Sequence, residues 1–249
     1  MQLVGYERTP NAALILAEAG RIDRVALEPD VELGFDLGGR RCAGDIEGET
    51  HRPCERTDTP WCPEHTDIWI CARCRGTCLK AEMDCYEPHV VYLAIVAPAH
   101  IKVGVTRAER IETRLHEQGA DRGAVIHRVA NGRIAREIES ELSARYPERI
   151  PIGAKIDGLT RSIDEQAWAA ALANETSTTT IEPSYELSLA TQPVPETLAA
   201  GRVVGTKGRL LVLEVGHTTY VTDLRQLVGH EVTRTASLPD RQTGLEAFS

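Results

Sequence analysis

All seven cysteines of this 249-residue chain fall between residues 42 and 85, and no other feature limits the fold as strongly. The donors in that block are Cys42, Cys54, Cys62, His65, Cys71, Cys74, Cys78 and Cys85. Two of the gaps, Cys62-x2-His65 and Cys71-x2-Cys74, let a pair of side chains turn toward one ion. Seven thiols and one imidazole are enough for two closed tetrahedral zinc sites, or for one zinc with thiols to spare. Disulfides fit poorly with an odd cysteine count, and Met1 to Pro10, "MQLVGYERTP", lacks the charged-then-apolar pattern of a secretory leader. Spacing groups Cys62, His65, Cys71 and Cys74 at one ion and Cys42, Cys54, Cys78 and Cys85 at the other. Such a donor set leaves no open coordination position. The zinc is therefore expected to be structural, stabilising a segment with too few apolar residues to fold alone.

Around this block the chain divides by pattern. Residues 1–41 alternate apolar and polar positions, as in "AALILAEAGRIDRVAL", and read as strands or a hairpin. Residues 42–88 are the cysteine block, and residues 89–150 return to strand and helix patterns. Residues 151–182 form a helical connector, in which Ser162 and Glu165 make a capping box before "EQAWAAALAN". The Thr, Ser, Pro and Glu of residues 175–197 mark a linker. Residues 183–249 read as the end of that linker followed by a small all-β unit with a structural or dimerising role. The longest apolar run, Val90 to Ala99, is about half of what a membrane-spanning helix needs. A cytoplasmic protein with no membrane partner is expected.

The net charge of −9 argues against nucleic-acid partners at first sight. Yet only four of the 28 basic residues are lysines: Lys80, Lys102, Lys155 and Lys207. An acidic, arginine-over-lysine chain suits a halophilic or GC-rich organism, where net charge reflects solubility as much as partner choice. Local patches then carry more information than the total. One lies after "HVVYLAIVAPAHIKVGVTR", residues 89–107, which reads as two strands around "PAH". Thr106 and Glu109 make a capping box and Gly119 a C-terminal stop, predicting a helix over 107–118 with Ala108, Ile111 and Leu115 inward. Arg107, Arg110 and Arg114 fall in one stripe, which is either a phosphate site or a solvated face paired with Glu109, Glu112 and Glu117.

"VVYLA", then "KVGVT", then an arginine-leucine pair on a helix resembles the GIY-YIG endonuclease superfamily, in its branch with K-hydrophobic-G at the second motif. Tyr92 matches the first motif tyrosine, and Lys102, Val103 and Gly104 match the second motif. Arg114 matches the helix arginine, with Arg110 as its rival. In the next helix, "RIAREIESEL", Ile134, Ile138 and Leu142 are expected to face inward. Glu139 matches the superfamily's metal-binding glutamate, with Glu141 as the alternative. No residue matches the polar group, often asparagine, that closes such sites, because Asn131 comes too early. The cysteine-rich lead-in with "GTC", "HVVYLA", "KVGVTR" and "EQGA" also resembles an uncharacterised prokaryotic family, domain-of-unknown-function 2797.

These resemblances imply an α+β protein in which a small mixed sheet with flanking helices, GIY-YIG-like, follows the zinc block between N- and C-terminal β segments. They imply nucleic acid as partner and Mg²⁺ or Mn²⁺ on Glu139 for phosphodiester cleavage. Tyr92 would position or activate water, Arg114 would stabilise charge on the phosphate, and Lys102 would contact phosphate or lower the pKa of Tyr92. A binding module without hydrolysis, or a zinc-stapled scaffold for protein partners, are the alternatives.

Overall fold

In the computed structural model, residues 1–66, 85–173, 175 and 179–235 are described. Cys71, Cys74 and Cys78 lie outside them. The chain forms two compact units, Met1–Thr66 with Glu186–Ser249, and Asp67–Tyr185.

The first unit is built on one sheet. Its strands are β1 (Gln2–Glu7), β2 (Ala13–Glu18), β3 (Arg21–Ala26), β4 (Glu32–Arg40), β5 (Asp45–Glu47) and β6 (Thr50–Arg52) from the N-terminal segment. The second contribution is β11 (Val194–Pro195), β12 (Ala199–Lys207), β13 (Leu210–Val215), β14 (Thr218–Asp223) and β15 (His230–Arg234), with the short helix α5 (Leu224–Leu227). The two sets alternate: β4 lies between β12 and β15, and β15 pairs with β1. Each set closes an edge that the other would leave with unpaired backbone groups. Period-2 alternation puts Leu3, Leu14, Leu16, Leu33, Leu211 and Leu213 into a common core. Truncating any one of these buried leucines to alanine costs about 2–5 kcal/mol.

The second unit carries β7 (His89–Val96), β8 (His100–Arg107), β9 (Arg122–Val129) and β10 (Thr179–Ile181) in the order β10-β9-β7-β8. Its helices are α1 (Ile111–Gln118), α2 (Gly132–Leu142), α3 (Ile152–Asp157) and α4 (Glu165–Leu172). The α+β class is as expected, but the sheet is antiparallel throughout rather than mixed. β7 and β8 form a hairpin, and the crossover through α1 carries the chain past β7 before β9 is laid down. Every neighbouring pair therefore runs in opposite directions.

β7 is buried along its length because both of its faces are covered. Val90, Tyr92 and Ala94 pack with Ile111 and Leu115 of α1. Val91, Leu93 and Ile95 pack with Ala135 and Leu142 of α2 and with Trp168 and Ala171 of α4. Two-sided burial explains why β7 is a continuous apolar run rather than an alternating one.

Two predicted caps are replaced. Thr106 stays in the ladder opposite Val90, so β8 runs to Arg107, a 3₁₀ turn over Ala108–Arg110 follows, and α1 starts without a side-chain cap. Ahead of α4 the cap is Asp164, whose Oδ1 accepts from the backbone N–H groups of Gln166 and Ala167, rather than Ser162. Gly119 ends α1 as predicted, in the left-handed region at φ +67° that glycine adopts without strain. Among the described residues, no helix is long and apolar enough to cross a membrane.

Candidate functional site

In the first unit, Cys42, Cys54, Cys62 and His65 converge until their ligand atoms all lie within 4.8 Å of one another. Cys42 follows β4, Cys54 follows β6, and Cys62 and His65 sit on a turn in which the His65 N–H reaches back to the Cys62 carbonyl at 3.0 Å. The imidazole Nδ1 is 3.2 Å from Cys62 Sγ and 3.5 Å from Cys42 Sγ. Tetrahedral zinc with its usual bond lengths separates a sulfur from a nitrogen by about 3.6 Å, so the spacing fits an ion at the centre. The donor set can hold a metal such as zinc. The Cys42 sulfur also accepts the backbone N–H groups of Gly44 and Cys62 at 3.4 and 3.2 Å, as a thiolate would.

Burial pushes the Cys42 thiol up. Burial alone would raise Cys62 as well, but hydrogen bonds from the backbone and imidazole of His65, the Glu64 backbone and Cys42 together outweigh it and bring that thiol down to about 7. A thiol that ionises near neutrality releases its proton to a metal at little cost. Cys62 and His65 stand together with Cys42 and Cys54, two pairs that spacing had assigned to different ions, while Cys71, Cys74 and Cys78 lie outside the described residues. Sheet pairing of β5 and β6 folds the Cys42–Cys54 loop back on itself, and sequence distance gives no sign of that. Cys85 belongs to the second unit and stands outside this cluster.

In the second unit, four residues matched to the endonuclease motifs interact with one another. Tyr92 of β7 is 1% exposed, its hydroxyl oxygen accepts the Gln118 Nε2–H at 2.8 Å, and the positive charge of Arg114 acts on the phenol. Its cross-strand partner is Gly104, and the ring lies so close over that residue that an added Cβ would meet the hydroxyl oxygen at 2.5 Å. Lys102, on β8 and 8% exposed, holds its Nζ 5.9 Å from the centre of the Tyr92 ring. Burial, with Arg114 and Lys155 adding their charges, lowers the Lys102 ammonium to about 8. Glu139 of α2 acts in the opposite sense on Lys102 and raises the phenol of Tyr92.

The phenol of Tyr92 is raised rather than lowered. Burial raises it, and the opposing pull of Arg114 and Gln118 is the smaller effect. For Arg114, burial alone would lower the guanidinium, but Tyr92 and Glu117 keep it above its ordinary value.

The helix that carries Glu139 is rotated from the predicted face. Gly132, Ala135, Glu139 and Leu142 point inward, Ile138 is half-buried, and Ile134 is 39% exposed. This rotation makes Glu139, at 6% exposed, a buried carboxylate, with Oε2 2.6 Å from Arg136 Nη1. Glu141, the alternative, is exposed. Asn131 caps α2 by accepting the Ile134 N–H, a structural role. The arginine stripe is largely paired: Glu117 takes both Arg110 and Arg114 at 3.1 Å, and Arg107 lies 3.7 Å from Glu87. Glu109 and Glu112 take no part in those three pairs.

Two residues connected to Tyr92 were not legible in the sequence. Gln118 reads as an ordinary helix former at the end of α1, and Lys155 as a surface lysine. Lys155 Nζ donates to the Gln118 carbonyl at 2.7 Å, joining α3 to the residue that holds the Tyr92 hydroxyl.

A family described as "Protein of unknown function (DUF2797)" matches residues 65–232. Among curated proteins and among solved structures, none matches the chain.

Proposed function

Because the chain belongs to the DUF2797 family, a kinship that brings no activity with it, we propose its function from its own residues. It is a zinc-stabilised nucleic-acid-binding protein that cleaves phosphodiester bonds through a GIY-YIG-like site. The observation that carries this reading is the placing of Lys102 Nζ 5.9 Å from the ring of buried Tyr92, with the charges of Arg114 and Glu139 acting on both residues. Three of these are ionisable groups withdrawn from solvent, an arrangement that concentrates at chemically active sites. A small sheet with helices on both faces is in keeping with the module that the motifs imply, although its strands are antiparallel rather than mixed.

In this reading, Arg114 opposes the charge that develops on the phosphate, and Lys102 contacts a second phosphate oxygen. Gln118 already donates to the Tyr92 oxygen, so its own proton remains to orient the attacking water. Glu139 would hold the divalent ion. A single carboxylate fits Mg²⁺, which commonly binds through one or two carboxylates with water and substrate phosphate. That ion would polarise the scissile phosphate.

One observation favours a second reading, a recognition module without hydrolysis: the Glu139 carboxylate is already engaged by Arg136. The two readings separate when zinc-loaded protein is incubated with single-stranded, duplex and structured DNA and RNA in Mg²⁺ or Mn²⁺. Cleavage that disappears in Glu139→Ala supports the nuclease. Binding without cleavage in either metal refutes hydrolysis, and binding insensitive to salt refutes phosphate contact altogether.

A further inference from the structure

We propose that Cys85 and His89 are two ligands of a second zinc-class ion, with a donor set distinct from Cys42, Cys54, Cys62 and His65. The inference does not depend on the nuclease reading.

His89 opens β7, and its ring is oriented before any metal arrives. Its Nδ1 lies 2.7 Å from the backbone carbonyl of Glu87. A carbonyl only accepts, so the ring proton sits on Nδ1 and the lone pair is left on Nε2. That is the usual preparation of a metal-binding histidine, whose second nitrogen is held by a carbonyl or carboxylate. His89 as a whole is only 7% exposed.

Cys85 faces the same point. At the start of α2, the Gly132 N–H binds the Cys85 carbonyl at 3.1 Å. A methyl group placed on Gly132 would sit 3.0 Å from His89 Nε2 and 3.2 Å from Cys85 Sγ. Both donor atoms therefore crowd one spot over the first turn of the helix, and the missing side chain of Gly132 gives them the room. Cys85 forms no disulfide. Cys-x3-His spacing lies within the range of zinc-ligand pairs. One thiolate and one neutral imidazole select a borderline ion such as Zn²⁺ over Mg²⁺ or Ca²⁺. The two donors supply half of a tetrahedral shell, and the inference rests on them alone.

The test is metal content combined with mapping of the thiol. Wild-type protein, purified with zinc and desalted, is expected to carry two zinc ions per chain by elemental analysis. Cys62→Ser and His89→Ala should each lower the count to one, whereas His89→Cys, which keeps a donor, should retain both. Should His89→Ala fail to fold, alkylation of the full-length wild type still decides. With zinc bound, the Cys85 peptide should react at least about tenfold more slowly than after chelation, because a coordinated thiolate is shielded from reagent. A single zinc in the wild type, an unchanged count in a folded His89→Ala, or equal Cys85 reactivity with and without chelator would each overturn the assignment.

Discussion

Replacing Gly104 by alanine probes the pocket more directly than removing any of its charged groups. The backbone of Gly104 is ordinary strand, so alanine brings no conformational strain and, by restricting the unfolded chain, would normally stabilise by about 0.4–1 kcal/mol. Here the new Cβ would meet Tyr92 Oη at 2.5 Å and Cζ at 2.6 Å. Ordinary contact begins at about 3.5 Å, so the ring must retreat by roughly 1 Å. Ile111, Leu115 and Val125 surround it, leaving little space for that retreat. Overpacking of this kind costs about 1–3 kcal/mol, which outweighs the entropic gain. Gly153 on α3 is the matched control, since an added Cβ there meets nothing within 4 Å and the same change should stabilise. Urea unfolding of the two variants should therefore move in opposite directions from the wild type. Combining Gly104→Ala with Tyr92→Leu should recover part of the loss, because the branched side chain removes the atoms that clash. A Gly104→Ala protein within about 0.5 kcal/mol of wild type would refute the packing of Tyr92 over this glycine.

Three further outcomes follow from the same geometry. Between pH 8 and 10.5 the unfolded chain holds the proton that buried Lys102 has lost, so its contribution to stability rises with pH across that window. Below pH 8 the cost of burying the charge is fully present. The gain amounts to roughly 3 kcal/mol, and it should vanish from urea-unfolding curves of Lys102→Met; parallel curves for the two proteins would contradict it. Glu117→Gln releases Arg110 and Arg114 together, and nucleic-acid affinity should rise roughly two- to fivefold at low salt, in a filter-binding titration. Cys62→Ser breaks the Cys42, Cys54, Cys62 and His65 cluster, with loss of one zinc by elemental analysis and a lower thermal midpoint. Structural zinc is worth about 10–16 kcal/mol of apparent binding energy in zinc-finger peptides, so a midpoint that does not move would exclude a structural ion.

What could be read before folding depended on whether the determining interaction was local. The β7–β8 hairpin and the stop at Gly119 are set by neighbouring residues, and each stands where the pattern put it. The cap of α1 was misread because Thr106 is suited both to an N-cap and to a strand, and the ladder opposite Val90 claims it. The inward face of α2 was misread because Ile134 and Ile138 look more apolar than Glu139. Only packing against β7, β8 and β9 rotates the carboxylate inward.

The sequence by itself determined the kinds of chemistry available: a block of soft donors, a tyrosine, lysine and arginine set on adjoining elements, and strands at both ends of the chain. Residue type and short-range spacing carry that information, since side-chain chemistry and hydrogen-bonding capacity are local properties. Tertiary structure decided which donors come within reach of one ion, that β4 and β15 close the edges of strands far away in the chain, and that Gln118 reaches Tyr92 while Lys155 reaches Gln118. Those outcomes depend on long-range strand pairing and on which helix face is buried, because contacts between residues far apart in sequence form only when the whole core is packed.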